Sequence, residues 1–328
     1  MTQLRQTGLV LLSLFVIALS GCSQPIPKTQ ISLRELVTEY NENASSVPML
    51  AAYADIEVSA YGLPVWSSPN GLLRMRKGPK PLATHDMVLI GREVSKQVMR
   101  VGSSRQDNVY YMWTLMPETK ALWGHTKLAG APGIKHLKID PMGLEAVLGI
   151  CQLPSDLSKL PAVTLKMDTT KGRYAYVLGY VSRQPASDNY ILRREYRFAW
   201  DEERTGGISE LFWGKQKPRR LEEVNFFNAD GRKVMSAFVG DYKPISADSM
   251  EDGKPGDPVM PTDIKITWFN DRQKGHVSVR LRLSQLHSEE TWDAEICDFL
   301  DNVPEEIPDH KIIQVDKDIP FDKEGGGK

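Results

Sequence analysis

The chain has 328 residues, with 41 Lys and Arg against 42 Asp and Glu and a formal net charge of −1. That balance excludes the basic surplus a general nucleic-acid binder needs. Hydrophobic residues make up 41% and charged residues 25%, proportions of a globular protein rather than a disordered or fibrous one.

Residues 1–21 have the three parts of an export signal. Arg5 is the single base, Gly8 to Leu19 is an apolar run broken only by Ser13, and Ser20-Gly21 is a small pair suited to a peptidase. A membrane-spanning helix needs about 20 apolar residues, so this run is too short to span. Leu19-Ser20-Gly21-Cys22 resembles a bacterial lipobox. The resemblance implies cleavage before Cys22 and acylation of that cysteine by fatty chains such as palmitate. Each buried CH₂ contributes about 0.8 kcal/mol, so two or three chains anchor stably where one does not. Ser23 follows the cysteine instead of Asp, which by the same resemblance favours the outer membrane over the inner. Residues 22–30, with Pro25 and Pro27, read as a tether. The expectation is a lipid-anchored protein on the extracytoplasmic side of a cell envelope.

Ile31 to Ala44 predicts a helix. Leu33, Leu36, Val37 and Tyr40 share a face, Ser32 with Glu35 has the spacing of a capping box, and Asn41, Asn43 and Pro48 end it. Ala54, Ile56 and Val58 then alternate with polar residues, the period of a half-buried strand. Ser68-Pro69-Asn70-Gly71 reads as a turn. Strand-like runs follow at Leu72–Arg76, Thr84–Gly91, Lys96–Gly102, Asn108–Met116 and Lys120–Lys127. Asp140-Pro141 opens a short helix with Leu144, Val147 and Leu148 on its apolar face. More strands are expected at Ala162–Asp168, Tyr174–Ser182, Tyr190–Trp200, Ile208–Lys215, Arg219–Phe227 and Lys233–Tyr242. Asn228-Ala229-Asp230-Gly231 marks a hairpin between the last two. Ala247–Pro261 reads as a flexible loop, and Asp263–Asn270 with His276–Gln285 as another hairpin. Glu289 to His310 carries nine carboxylates and no Lys or Arg. Many short strands in sequential hairpins require an antiparallel sheet that curls over to hide one face.

The stretch LRELVTEYNENASSVPMLAAYADIEV, the strands around DNVYYMWTLMPETKALWG and the helix DPMGLEAVLGI together resemble the LolA/LolB-like superfamily of envelope proteins. The resemblance is one of element order over roughly residues 31–285, leaving 286–328 as an acidic, partly disordered extension. It implies a mainly β fold: a curved, half-open antiparallel β-barrel, with the N-terminal helix and the short internal helix plugging its concave side. It also implies a monomeric, non-enzymatic protein that binds an acyl chain or other apolar ligand, in lipoprotein or lipid trafficking. The alternative within the same fold is a periplasmic interaction or stress-sensing regulator without a carrier role.

The residues support a hollow on their own terms as well. Asn108–Met116 is apolar on both faces, with Tyr111 and Trp113 on one and Tyr110 and Met112 on the other; Tyr174–Val181 is similar. Such strands need two apolar neighbours, either core plus helix or core plus ligand. The candidate lining is Tyr111, Trp113, Leu122, Leu144, Val147 and Leu148. No catalytic residue, metal site or cofactor is assigned. His85-Asp86 lacks a nucleophile pattern such as GxSxG, His125 and His136 read as loop polarity, and there is no CxxC or zinc spacing. Arg193, Arg194, Arg197 and Lys215–Arg220 have two readings, contact with anionic headgroups or solvated strand faces. Cys151 and Cys297 are either a disulfide or separate thiols.

Overall fold

The computed structural model of the chain describes residues 31–60, 64–77, 85–104, 108–116, 118–128, 141–159, 161–169, 174–183, 190–199, 219–228, 230–247, 253–254, 257–269, 275–291 and 303–318. The leader with Cys22, the tether, His136, the run 208–215, Cys297 and the last ten residues lie outside them.

Two meanders share one sheet. The first is β1 (Leu50–Ala60), β2 (Trp66–Lys77), β3 (His85–Glu93), β4 (Lys96–Ser104), β5 (Val109–Thr114) and β6 (Lys120–His125). The second is β7 (Ala162–Asp168), β8 (Ala175–Arg183), β9 (Tyr190–Ala199), β10 (Leu221–Phe227), β11 (Lys233–Pro244), β12 (Val259–Phe269) and β13 (Gly275–Ser288). They join through β1 and β13, antiparallel from Leu50 opposite Ser288 to Ala60 opposite Val277. A short last strand, β14 (Ile312–Gln314), runs parallel to β6. The sheet therefore ends at β14 and β7 and stays open. It is curved, and helices α1 (Leu33–Ser46) and α2 (Pro141–Val147) cover its concave side. This is the half-barrel expected from the sequence.

Alternation sets the two faces. Ala54 and Ile56 of β1 and Val279, Leu281 and Leu283 of β13 are buried in the main core. On the opposite face, Arg282 pairs with Asp55 at 3.1 Å and Glu57 at 2.9 Å, and Arg280 pairs with Asp263 at 2.6 Å. Opposite charges on neighbouring strands support the register but contribute little each at such exposure. At the β10–β11 hairpin, the Asn228 side chain accepts from the backbone N–H of Asp230 and of Arg232, and Gly231 takes φ +72°, which favours glycine.

Three expectations need correction. Ser68–Gly71 is not a turn, because β2 runs straight through it. The register against β1 shifts by one between Ala54/Gly71 and Ile56/Ser68, which places Pro69 and Asn70 in a bulge. A bulge tolerates a proline that has no N–H to give the ladder. The Ser68 hydroxyl replaces the missing ladder contacts, donating to the Arg92 carbonyl at 2.6 Å and accepting from its N–H at 2.7 Å. Gly71 is required there, since a Cβ would lie 2.6 Å from the Ala54 carbonyl oxygen.

Asn41 and Asn43 do not end α1, which continues to Ser46. Their amides bond to distant backbone rather than competing for their own. Val259–Pro261, read as loop, begins β12.

The both-faces-apolar strand also has its explanation. Met112 and Leu122 belong to the main, helix-covered core, whereas Tyr111 and Trp113 belong to a second cluster with Ala121 and Ile307. The acidic C-terminal segment supplies that second cover: Ile307 packs on the two aromatics, and β14 extends the sheet beside β6.

Candidate functional site under the leading helix

Helix α1 starts where the sequence places it, with Ser32 Oγ accepting from the Glu35 N–H at 3.2 Å. Its inward stripe, Leu36, Val37, Tyr40 and Ala44, is buried on the concave sheet. Beneath it lie Tyr176, Leu178 and Tyr180 of β8, Tyr196 and Phe198 of β9, and Leu221 and Val224 of β10. Burying each large apolar side chain contributes roughly 1.5–3 kcal/mol.

Polar contacts fix the helix at a few points. Asn41 donates to the Leu153 carbonyl at 2.8 Å and accepts from its N–H at 2.7 Å. Asn43 does the same with Val259, at 3.1 and 3.3 Å. Glu39 accepts from Arg219 at 2.9 and 3.0 Å. The Ile31 N–H donates to the Tyr176 hydroxyl at 3.2 Å.

A cleft open to solvent runs beside α1. Tyr40, Asn43 and Leu148 form part of its wall, Tyr242 and Val259 another part, and Arg219 and Arg220 stand in it as well. The Arg219 guanidinium lies 5.5 Å from the Tyr176 ring centre and Arg220 lies 5.3 Å from that of Tyr242. The arrangement is amphipathic: apolar rings inside, two cations beside them.

Behind the cleft wall, in the core, Tyr40 packs edge-on against Tyr196 and Phe198, with ring centres 6.3 and 5.7 Å away, and Tyr180 packs against Tyr196 at 5.7 Å. Burial pushes the Tyr40 phenol well above its ordinary range, with Tyr196, Cys151, Tyr242 and Tyr180 adding to it. Burial likewise raises Tyr180, Tyr196 and Tyr242, partly offset by Arg194 for Tyr196 and by Arg220 for Tyr242. All four phenols are therefore neutral and able to donate. Among the described residues, two hydroxyls, those of Tyr40 and Tyr180, are buried with no hydrogen-bond partner. Each costs roughly 1–3 kcal/mol relative to a satisfied one.

The six residues read as a lining do not lie together. Leu122, Leu144, Val147 and Leu148 are in the concave core, and Leu148 reaches the cleft. Tyr111 and Trp113 sit on the other side of the sheet under Ile307. The sequence reading missed Tyr40, Tyr180, Tyr196 and Phe198 as a group, because helix and strand periodicity place each in a core without showing that they meet. Asp86 is buried and pairs with Arg76 at 2.6 Å. Arg197 is buried beside Asp168 and Glu222 instead of facing outward. His125 bonds to Asp316. Cys151 is half-buried near the phenols.

No family model matches the chain, and no curated protein matches it in sequence. Solved structures do. A DUF1329 family protein from Desulfovibrio piger is 10% identical with a TM-score of 0.51, the match covering 81% of this chain and 96% of that one. A LolA superfamily protein from Nitrosomonas europaea is 10% identical with a TM-score of 0.44, covering 80% and 97%. A candidate outer-membrane lipoprotein-sorting protein domain from Vibrio parahaemolyticus is 9% identical with a TM-score of 0.48, covering 80% and 95%. The first of these likenesses is one of fold.

Proposed function

We propose that this chain is a lipid-anchored envelope protein whose half-barrel takes up an acyl chain, as a binding or carrier protein and not an enzyme. The observation that carries the reading is the roof of the concave face. The longer of its two helices, α1, is clamped on the apolar sheet by two asparagines and one ion pair, with an amphipathic cleft along its side. Lifting α1 exchanges its own Leu36, Val37 and Tyr40 for the methylenes of a guest, so apolar burial is retained in both states. Acylation of Cys22 holds the domain at a membrane surface, with the outer membrane favoured.

A second reading is favoured by the closed state itself. The concave residues of β8 to β11 that face α1 are buried against the protein's own side chains. A domain that stays closed would read a signal and bind a protein partner without carrying lipid.

Native mass spectrometry of the full chain extracted from membranes separates the two. A second acyl-bearing mass, beyond the chains on Cys22, supports the carrier. A Cys22→Ala variant lacks the anchor chains and incorporates no labelled palmitate. If that soluble variant carries no lipid and acquires none from vesicles containing lipopeptide, the carrier reading is wrong.

A further inference from the structure

The face of the sheet away from the helices holds a buried charge with no counter-charge among the described residues. Arg100 of β4 alternates with Met99 and Val101, which belong to the helix-covered core, so it points to the other side. It is 1% exposed, and its Nη2 has no hydrogen-bond partner. Its Nε donates to the Tyr111 hydroxyl at 3.3 Å, a long bond to a neutral group. Directly across on β5 stands Trp113, also 1% exposed, whose indole N–H is unpartnered as well. Cross-strand neighbours have Cβ atoms about 5 Å apart, so these two side chains rise side by side. Ile90 is the neighbour on β3. Gly102 leaves room for the Tyr111 ring, since a Cβ there would lie 2.6 Å from its hydroxyl oxygen. The C-terminal segment passes over the same place: Glu306 pairs with Lys96 at 2.7 Å, and Ile307 packs on Tyr111 and Trp113. The Ile307 side chain covers the rings and offers the donors no acceptor.

Arginine keeps its charge in a protein, and a buried charge is costly unless paired. Asp86 lies about 13 Å along β3 from Ile90 and is bound to Arg76 at 2.6 Å. Glu306 is held by Lys96, and Glu145 accepts from Ser103 on the opposite face. A methionine at position 100 would fill similar space without burying a charge. We propose that Arg100 anchors a second binding site, on the face away from α1, for a small carboxylate with an apolar body. One guanidinium balances one negative charge, which suits a carboxylate and leaves a phosphate dianion in excess. Its planar fork also matches the two carboxylate oxygens. The Trp113 N–H is a neutral donor beside it, and Tyr111 and Ile307 suit an apolar body better than a hydrated ion. The inference is independent of the acyl-binding reading, which concerns the concave face.

The test titrates sodium benzoate, its neutral isostere benzamide and inorganic phosphate into the full chain by calorimetry, at matched ionic strength. Benzoate should bind at least about tenfold more tightly than either of the others, the worth of a hydrogen bond to a charged group. Arg100→Met should abolish that preference. Trp113→Phe keeps the guanidinium and should weaken benzoate by a smaller factor, about threefold, for the loss of one neutral donor. Benzoate that binds no better than benzamide, or not at all, overturns the assignment. So does phosphate that binds more tightly than benzoate. A benzoate preference that survives in Arg100→Met places the anion elsewhere and overturns it too. Should Arg100→Met fail to fold, Arg100→Gln, which keeps donors without the charge, decides by the same ratio.

Discussion

One carboxylate oxygen of Asp316 accepts two hydrogen bonds from a single residue, His125: Oδ2 lies 2.6 Å from its backbone nitrogen and 2.9 Å from its ring Nδ1. Gln314 donates to the other oxygen at 2.9 Å. The C-terminal segment is thereby pinned to the end of β6.

Acid should release that segment first. Burial alone would raise the Asp316 carboxyl, but the bonds from the His125 backbone, Gln314 and the His125 ring outweigh it and hold it below its ordinary value. A folded-state value below the unfolded one contributes stability above about pH 4, lost as pH falls through the folded value. Hydrogen exchange of residues 303–318, corrected for intrinsic rates, should show protection at pH 7 that declines by pH 3. Asp316→Asn should weaken protection at pH 7 by roughly 1–3 kcal/mol. Protection that ignores both pH and the substitution would show that the segment is held by its apolar contacts alone.

The β2 bulge depends on a hydroxyl and on a missing side chain. Ser68→Ala leaves the Arg92 N–H and carbonyl without their bridging partner and should cost roughly 1–3 kcal/mol. Gly71→Ala drives a methyl against the backbone oxygens of Ala54 and Ile90, at 2.6 and 2.9 Å. Such overpacking typically costs about 1–3 kcal/mol. Urea midpoints check both, and unchanged midpoints would mean the strand relaxes at no cost.

The asparagine clamps should govern how readily α1 lifts. Asn41→Ala or Asn43→Ala removes a pair of hydrogen bonds to backbone and should lower helix protection by roughly 1–3 kcal/mol. Exchange in residues 33–46 should rise while the central β1–β13 pairing stays protected. Uniform loosening of the whole sheet would argue that α1 cannot open separately.

The buried phenols give an optical signal. Tyr40, Tyr180, Tyr196 and Tyr242 all have raised values, chiefly from burial. A raised folded-state value means their contribution is complete below about pH 10 and is lost as pH climbs through the folded values. In a spectrophotometric titration these four of the 11 tyrosines should stay silent near pH 10. They should ionise together with alkaline unfolding. Eleven phenolates formed near pH 10 in a folded chain would contradict the aromatic interior.

The periodic elements were legible because their burial is local in origin. The stripe Leu36-Val37-Tyr40 and the alternation of Ala54 and Ile56 each point a fixed set of side chains one way. Ser68-Pro69-Asn70-Gly71 misled because proline, asparagine and glycine serve a bulge as well as a turn, and only the partner strand decides. Asn41 and Asn43 misled in the same manner: their amides found backbone at Leu153 and Val259, far along the chain. Tyr111 and Trp113 looked like a ligand-facing surface because nothing local announces that Ile307, in a strongly acidic stretch, will cover them. The unpaired hydroxyls of Tyr40 and Tyr180 come from three-dimensional packing that residue spacing does not encode.

The seam between β1 and β13 orders events in time. Ser288 lies 238 positions after Leu50, the residue it faces. A nascent chain emerging from its N-terminus presents β1 early, and β1 must wait for almost the entire remainder before its far edge finds a partner. Contacts of such long range are made slowly. Until then the two halves cannot lock together, and the polypeptide stays slack enough to be threaded.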